Sequence, residues 1–327
     1  MSPVGSLIFA TSVLAVHFAA AGAARPATRG LRLSAVLHPY QFTQVHMGLP
    51  VRLVLYAPDR TFAEDTARAA FSRIAELDQV MSDYRPDSEL RKLERHAGEP
   101  VQVSPDLMSV LSRAVAIAAA TGGAFDPSAG PLVALWRQSR KSGRLPDRSS
   151  LMTARALVGW RRIELDPARS TVRLTRPGMR LDLGAIAKGY ILQEALRAMR
   201  ALEVTRALVE SGGDIVAGDP PPGREGWHVE VEGADTAFAR RAAHLTNAAL
   251  ASSGPSSQFV EINGVRYSHI VDPRTGLGVT STRVARVIAE DAATADALAT
   301  ALTVLGERGA KQVSKNFPEV MMSMVER

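Results

Sequence analysis

The sequence predicts an α+β fold in which antiparallel sheets are flanked by helices. Two observations favour it over a doubly wound fold: short strand-like segments outnumber helical ones, and several of them are joined by connections of hairpin length. The chain of 327 residues, with 46% hydrophobic and 22% charged residues, is long enough to bury a sizeable core. We see no internal boundary and therefore expect a single domain over residues 31–327.

Residues 1–30 have the pattern of a leader and not of a folded domain. Leu7 to Ala24 is an apolar run that ends in small residues, and Ala21-Gly22-Ala23 resembles a cleavage signal. The run contains His17, and no Lys or Arg precedes it. A signal peptide or N-terminal anchor is the expectation, with a wrongly assigned start as the alternative. No other segment approaches the roughly 18 apolar residues of a membrane span.

The first elements of the domain are a strand and two helices. Residues 51–57 alternate as a strand does. Thr61 is placed to cap a helix that runs to about Tyr84 and has one apolar face. Ser104-Pro105 has the pattern of a cap followed by the first helical position, and Gly122-Gly123 marks the end of that second helix.

The rest of the chain predicts a hairpin, two more helices and a series of strands. The polar residues 138–150 predict a surface loop, and 162–165 with 171–174 predict a hairpin. A third helix is expected from about Gly184 to Leu202, and a last one from a cap at Asp291 to Gly306. Further strands are predicted at 206–210, 215–217, 227–231, 259–262, 267–271 and 283–289.

Composition excludes several kinds of site. The chain has no cysteine, so it has no disulfide, no thiolate nucleophile, no Cys-bound metal and no lipoprotein anchor. Its seven histidines form no H-x-x-x-H pair, which argues against a zinc site. The net charge of +6 does not predict nucleic-acid binding, because the 39 basic residues are interleaved with 33 acidic ones.

The last helix, EDAATADALATAL (290–302), carries a carboxylate within an apolar run. Asp296 and Thr300 are four residues apart and share one helix face. Their oxygens suit a hard cation such as Mg²⁺. The alternative is that Asp296 is solvated and Thr300 bonds the carbonyl one turn earlier, and the spacing alone favours this alternative.

Two glycine-containing segments are candidates for anion binding. LDLGAIAKGY (181–190) is a strand that leads into a helix, whose N-terminus attracts anions, and Lys188 adds a cation. It is neither a P-loop nor a dinucleotide fingerprint, and a tight packed turn explains it equally well. SGGD (211–214) is either a plain turn or a nest of backbone amides.

Two further segments carry chemistry-bearing side chains. SHIVDPRTG (268–276) places His269 at the end of a strand, where it is either structural or a general base oriented by Asp272. In GGAFDP (122–127), Phe125 and Asp126 suggest a loop that stacks on a ring and hydrogen-bonds to it.

Taken together, these segments resemble the ApbE family of FAD:protein FMN transferases, whose α+β fold is related to the T-fold. The resemblance covers roughly residues 45–320. It rests on motifs in a fixed order: HMGLPV (46–51), MSDYRPDSEL (81–90), GGAFDPSAGPLVALW (122–136), LDLGAIAKGY (181–190), SGGDI (211–215), RYSHIVDPRTG (266–276) and DAATADALATAL (291–302).

The resemblance implies an enzyme that uses FAD and Mg²⁺ to transfer FMN to a Thr hydroxyl of an acceptor protein, such as a membrane redox subunit, with release of AMP. It implies metal ligands at Asp296, Thr300 and the Ala185 carbonyl, and His269 as the catalytic base. The implied FAD contacts are Met47, Tyr84, Ala124, Phe125, Asp126, Asp182, Lys188 and Ile270.

The sequence departs from the family at two points. Some relatives have an acid where this chain has Lys188, which puts that contact in doubt, and the lipoprotein Cys of some members is absent. With its leader, the protein is expected to be exported to the periplasm or to the periplasmic face of the inner membrane. The alternatives are an FAD pyrophosphatase, in which water replaces the acceptor, and a non-catalytic FAD-binding protein; the presence of His269, Asp296 and Thr300 argues against the second. The oligomeric state is left open.

Overall fold

A computed structural model describes residues 36–230, 242–254 and 259–325. The leader predicted at 1–30 lies outside these residues, and the single domain over 31–327 stays a prediction. Within the described ranges, no helix combines the length and apolar character needed to cross a bilayer.

The helices of the described ranges are α1 (Arg60–Met81), α2 (Glu89–Arg95), α3 (Pro105–Ala120), α4 (Gly130–Ser142), α5 (Arg148–Ala156), α6 (Ala187–Ala201) and α7 (Ala292–Asn316), with a 3₁₀ turn at Trp160–Arg162. The strands are β1 (His38–His46), β2 (Leu49–Ala57), β3 (Pro100–Gln102), β4 (Ile163–Asp166), β5 (Thr171–Leu174), β6 (Ala207–Ser211), β7 (Asp214–Ala217), β8 (Trp227–Glu230), β9 (Ala242–Leu245), β10 (Ala248–Ser253), β11 (Phe259–Ile262), β12 (Val265–Ser268), β13 (Val271–Asp272), β14 (Leu277–Gly278), β15 (Val284–Ala289) and β16 (Met321–Val325).

A seven-stranded sheet in the order β1-β2-β6-β7-β10-β15-β16 organises the fold, and each neighbouring pair in it is antiparallel. The main core joins the inward side chains of β2 and β15 to the apolar faces of α1, α3, α6 and α7, and α6 contacts both α1 and α7. Smaller sheets comprise β3-β5-β4, β8-β9, β11-β12 and β13-β14. The predicted α+β fold with antiparallel sheets is confirmed.

The first helix has the predicted buried face but a different cap. Ala67, Ile74 and Leu77 are among the residues it buries. Its N-cap is Asp59, whose carboxylate accepts the Phe62 N–H at 2.9 Å, so the prediction of Thr61 is wrong. A carboxylate two residues earlier satisfies the first free amides and lets the helix begin sooner.

The prediction of a loop at 138–150 is wrong for most of that segment. Only residues 143–147 lie between α4 and α5. Gly143 ends α4 at φ 67°, and the Asp147 carboxylate caps α5 by accepting the Ser150 N–H at 2.9 Å. Helix α4 buries a narrow stripe that includes Trp136, and the polar composition of its other faces concealed it.

The last helix begins as predicted and continues further. The Asp291 carboxylate caps α7 by accepting the Thr294 N–H at 2.7 Å. Gly306 interrupts the helical backbone at φ 67°, ψ −169°, and the helix then resumes as far as Asn316. The part before Gly306 is almost wholly buried between α6 and the sheet, which places Asp296 in the interior.

Candidate functional site

A cleft of about 1620 Å³ opens at one end of the strands of the main sheet. There the β1–β2 and β6–β7 turns meet the start of α6 and the first turns of α7. It brings together all twelve site residues predicted from the sequence, and their individual roles stay predictions. They are Met47, Tyr84, Ala124, Phe125, Asp126, Asp182, Ala185, Lys188, His269, Ile270, Asp296 and Thr300.

Asp296 is buried in this cleft with 6% of its surface exposed. Its Oδ2 accepts the Gly189 N–H from α6 at 3.1 Å. One turn later, the Thr300 hydroxyl lies 3.3 Å from the Ser253 hydroxyl at the end of β10. The alternative of a solvated Asp296 therefore does not hold, and both oxygens stand where α7 faces the cleft.

The contact between α6 and α7 depends on Gly189. A Cβ at this position would lie 2.1 Å from the Ala292 carbonyl oxygen, well inside contact distance. Only glycine lets the two backbones approach this closely. The approach brings the Gly189 N–H within hydrogen-bonding distance of Asp296 and fixes the orientation of that carboxylate.

A second buried carboxylate, Asp214, stands beside Asp296. It is 2% exposed, forms an ion pair with Lys188, and accepts the Ser252 N–H at 3.2 Å through Oδ1. The turn before it is a two-residue hairpin in which Gly212 and Gly213 have φ values of 56° and 90°. SGGD is thus a glycine hairpin turn followed by an inward carboxylate.

These buried charges act on one another. The pKa of Asp296 is raised to about 7, because burial and the charge of Asp214 raise it more than Lys188 and the Gly189 N–H lower it. Burial lowers the pKa of Lys188, but the adjacent Asp214 and Asp296 outweigh this and the net shift is upward. Two carboxylates share one ammonium group here, so the charges do not balance.

This arrangement fits a divalent hard cation. Asp296 and Thr300 supply a carboxylate and a hydroxyl, and Ala185, whose carbonyl is the third predicted ligand, lines the same cleft in the turn before α6. Within the described part of the chain, no three His, Cys, Asp or Glu side chains group in a way that could hold a metal. The candidate centre therefore relies on one carboxylate with neutral oxygens.

His269 reaches the cleft from the short connection between β12 and β13. The Ser268 carbonyl accepts the Trp136 Nε1–H at 2.9 Å, and the Ser268 hydroxyl accepts the Ile270 N–H at 3.1 Å. These bonds fix the backbone on both sides of the histidine. The predicted orienting residue, Asp272, has both carboxylate oxygens bonded to the guanidinium of Arg274, at 2.9 and 2.8 Å.

Tyr84 gives another part of the cleft an aromatic surface. Tyr84 is 77% exposed, and the guanidinium of Arg137 lies 4.6 Å from its ring centre. Arg137 also donates to Asp83 at 2.6 Å and lies 3.7 Å from Asp182. Phe125 is only 3% exposed and belongs to the core, so Tyr84 offers the larger ring surface to a ligand.

Asp126 and Asp182 also shape loops. Asp126 accepts the N–H and hydroxyl of Ser128 through Oδ1 at 2.9 and 2.6 Å, and the Trp160 N–H through Oδ2 at 3.1 Å. Asp182 accepts the Gly184 N–H at 2.8 Å in the turn that leads to α6. Burial raises the pKa of both carboxyl groups. Both residues line the cleft, and their hydrogen bonds fix the loops that surround it.

Among the polar residues that line the cleft, Arg137 and Ser253 were missed as site residues from the sequence, and so was Asp214, the buried carboxylate beside Asp296. Asp214 had a readable signal, because strand alternation gives it the same face as the core residue Val216, and a carboxylate on that face must be buried. Arg137 and Ser253 had no such signal, since each is defined by side chains from distant elements.

Comparison with known proteins agrees with this geometry. The ApbE family model matches residues 47–324. The "FAD:protein FMN transferase" of Treponema pallidum is 33% identical over 300 residues, which cover 86% of this chain and 83% of that protein. Crystal structures of the ApbE protein of Thermotoga maritima and of the apo flavinyl transferase ApbE of Pseudomonas stutzeri superpose with TM-scores of 0.78 each, at 30% and 25% identity. They cover 88% and 89% of this chain, and 94% and 92% of their own.

This antiparallel α+β fold is that of the solved ApbE flavin transferases, so the chain is an enzyme of that class. The match spans most of the chain, and the chain therefore belongs to the ApbE family. The predicted resemblance is confirmed.

Proposed function

We propose that this protein is a Mg²⁺-dependent FAD:protein FMN transferase, which moves FMN from FAD to a Thr hydroxyl of an acceptor protein and releases AMP. The observation that carries the proposal is the convergence of His269, Asp296 and Thr300 in one cleft with the exposed ring of Tyr84. The names of the relatives support FAD and a protein as the two substrates.

In the proposed reaction, the Thr oxygen forms a bond to the phosphorus of the FMN moiety. The bond from that phosphorus to the bridging oxygen of the pyrophosphate breaks, and AMP leaves with the electron pair. The hydroxyl proton passes to a ring nitrogen of His269, which acts as the general base. Such a transfer depends mainly on positioning and on stabilisation of the oxygens.

The residues of the cleft divide this work. When bound, Mg²⁺ at Asp296, Thr300 and the Ala185 carbonyl supplies Lewis-acid stabilisation of the pyrophosphate charge. Tyr84 provides the flat surface on which a ring system stacks. Lys188, paired with Asp214, adds positive charge to the same cleft, and the hydrogen-bonded backbone around His269 holds the base in place.

The test uses purified protein, FAD, Mg²⁺ and a domain that carries the acceptor Thr. Flavin fluorescence on the acceptor after denaturing electrophoresis, together with one AMP per flavin, is the expected result. The same acceptor with Thr changed to Val is the matched control and must stay unlabelled. Free FMN and AMP without labelling of the acceptor would contradict the proposal and indicate an FAD pyrophosphatase. FAD binding with neither product would indicate a non-catalytic FAD-binding protein.

We also propose that the protein acts outside the cytoplasm, on the basis of the apolar run at residues 7–24. Fractionation of cells that express the full chain should recover it in the periplasm or on the inner membrane. Deletion of residues 2–24 should retain it in the cytoplasm. Equal distribution of the two forms would contradict export by this segment.

A further inference from the structure

The hairpin residue Asp214 stands at the meeting point of three elements of the cleft. It lies on β7, its carboxylate pairs with Lys188 of α6, and it accepts the Ser252 N–H of β10. Burial of a carboxylate at 2% exposure is costly unless it is paired, and these two contacts satisfy it. The residue was not among the predicted site residues.

Both contacts lead to the candidate cation ligands. Beyond Ser252, the Ser253 hydroxyl meets that of Thr300 at 3.3 Å, and the Ser253 carbonyl accepts the Thr303 hydroxyl at 3.1 Å. On the other side, Lys188 precedes Gly189, whose N–H binds Asp296 at 3.1 Å. Asp214 therefore connects to Thr300 through β10 and to Asp296 through α6.

Lys188 has two carboxylates within electrostatic reach, Asp214 and Asp296. In the structure, its ammonium group pairs with Asp214. A buried ammonium without its partner is strongly destabilised, so loss of the Asp214 charge would turn Lys188 toward the remaining carboxylate. That carboxylate is the one that a cation would need.

We propose that Asp214 is a positioning residue that holds Lys188 away from Asp296 and so keeps the Asp296 carboxylate available to a divalent cation. This inference rests on the proposed function, because it assumes that Asp296 is the cation ligand. It assigns the SGGD segment a role different from an anion-binding nest, and it explains why Lys188 is held by an acid.

The test measures cation binding without turnover. Mn²⁺ alone is titrated into the full chain in the absence of FAD, and free Mn²⁺ is followed by electron paramagnetic resonance. Asp214→Asn preserves the shape of the side chain and removes its charge. We expect Mn²⁺ affinity to fall by about 10- to 100-fold, the usual effect of removing a group that orients a ligand.

The decisive variant removes the competitor as well. In Asp214→Asn/Lys188→Met, no ammonium remains to occupy Asp296, and we expect Mn²⁺ affinity to return to within about threefold of that of Lys188→Met alone. Such rescue is a non-additive effect that a purely structural role would not give. Asp166→Asn, at the last residue of β4 and away from the cleft, is the matched control and should bind Mn²⁺ as the wild type does.

The outcomes separate this inference from the proposed function. Wild-type affinity in Asp214→Asn, or a double variant as weak as the single one, overturns the positioning role. Wild-type affinity in Asp296→Ala overturns the cation assignment itself. If Asp214→Asn melts at too low a temperature to be studied, Lys188→Met decides instead: it must bind Mn²⁺ at least as tightly as the wild type, and weaker binding overturns the inference.

Discussion

Two parts of the cleft, a charged side and an aromatic side, each contain two carboxylates near a cation. On the charged side, Lys188 pairs with Asp214 and is within electrostatic reach of Asp296. On the aromatic side, Arg137 pairs with Asp83, lies 3.7 Å from Asp182 and covers the ring of Tyr84. Arg91 lies 3.9 Å from Asp83, so the aromatic side has a second cation, and the structure suits the two sides to different tasks.

Burial and the type of cation account for the difference. The side chains of Lys188 and Asp214 are 21% and 3% exposed, whereas those of Arg137, Asp83 and Asp182 are 36%, 15% and 16% exposed. In the interior, the excess negative charge is poorly screened and can be balanced by a divalent cation. On the aromatic side, two guanidinium groups stand beside two carboxylates, and the planar group of Arg137 serves to hold an aromatic ring. Charge balance and burial thus separate ion binding from ring binding.

The strongest test of this contrast removes the carboxylate of the charged side. Asp296→Ala should reduce FMN transfer to background, because Mg²⁺ would lose its one charged ligand, while FAD binding falls much less. Transfer assays and fluorescence titration of FAD measure the two effects. The matched control is Asp291→Ala on the same helix, which should lower stability by about 1 kcal/mol through loss of a cap and leave transfer intact. Undiminished transfer in Asp296→Ala would refute the metal assignment.

The next test concerns the base. His269→Ala should lower kcat by about 10²- to 10⁴-fold, the range expected for general-base catalysis, with little change in FAD affinity. His228→Ala, at another histidine that lines the cleft, is the control and should retain nearly full kcat. Equal losses in the two variants would mean that His269 has no special part in proton transfer.

A smaller effect is expected on the aromatic side. Tyr84→Ala should raise the KM for FAD by up to about tenfold and change kcat little, because ring stacking contributes roughly 0.5–1.5 kcal/mol. Tyr84→Phe keeps the ring and should behave almost as the wild type. Steady-state kinetics at saturating acceptor would show this, and a loss confined to kcat would contradict a binding role.

The last prediction concerns stability, and not activity. The pKa of Asp296 is about 7 in the folded protein and near 3.8 when unfolded, so the folded state binds more protons between these values. Its contribution to stability is complete below pH 4 and is lost as the pH rises through 7. Cation-free Asp296→Asn should therefore melt above the wild type at pH 8, with the gap closing toward pH 5. A gap of the same size at both pH values would argue against the buried, unbalanced carboxylate.

The sequence predicted the fold and the residues that form the site better than it predicted the contacts among those residues. Periodicity located α1 and the β4–β5 hairpin, and the Ser104 cap located the start of α3, because these are local properties. The candidate residues that the motifs predicted all line the cleft. The pairing of Lys188 with Asp214 was not predictable, since it joins segments that only tertiary packing brings together. Helix α4 was missed because its buried stripe is too narrow to dominate a polar segment.

Because α6 and α7 lie so close together, the size of residue 189 sets the distance between the two helices and so affects the orientation of Asp296. With 2.1 Å between a hypothetical methyl group and the Ala292 carbonyl oxygen, any other side chain would push the two helices apart. The Gly189 N–H would then withdraw from Asp296, and the ligand would turn without being altered itself. The absence of a Cβ at Gly189 thus helps to set the geometry of the candidate cation centre. A substitution at residue 189 would lower activity without changing any group that contacts a substrate.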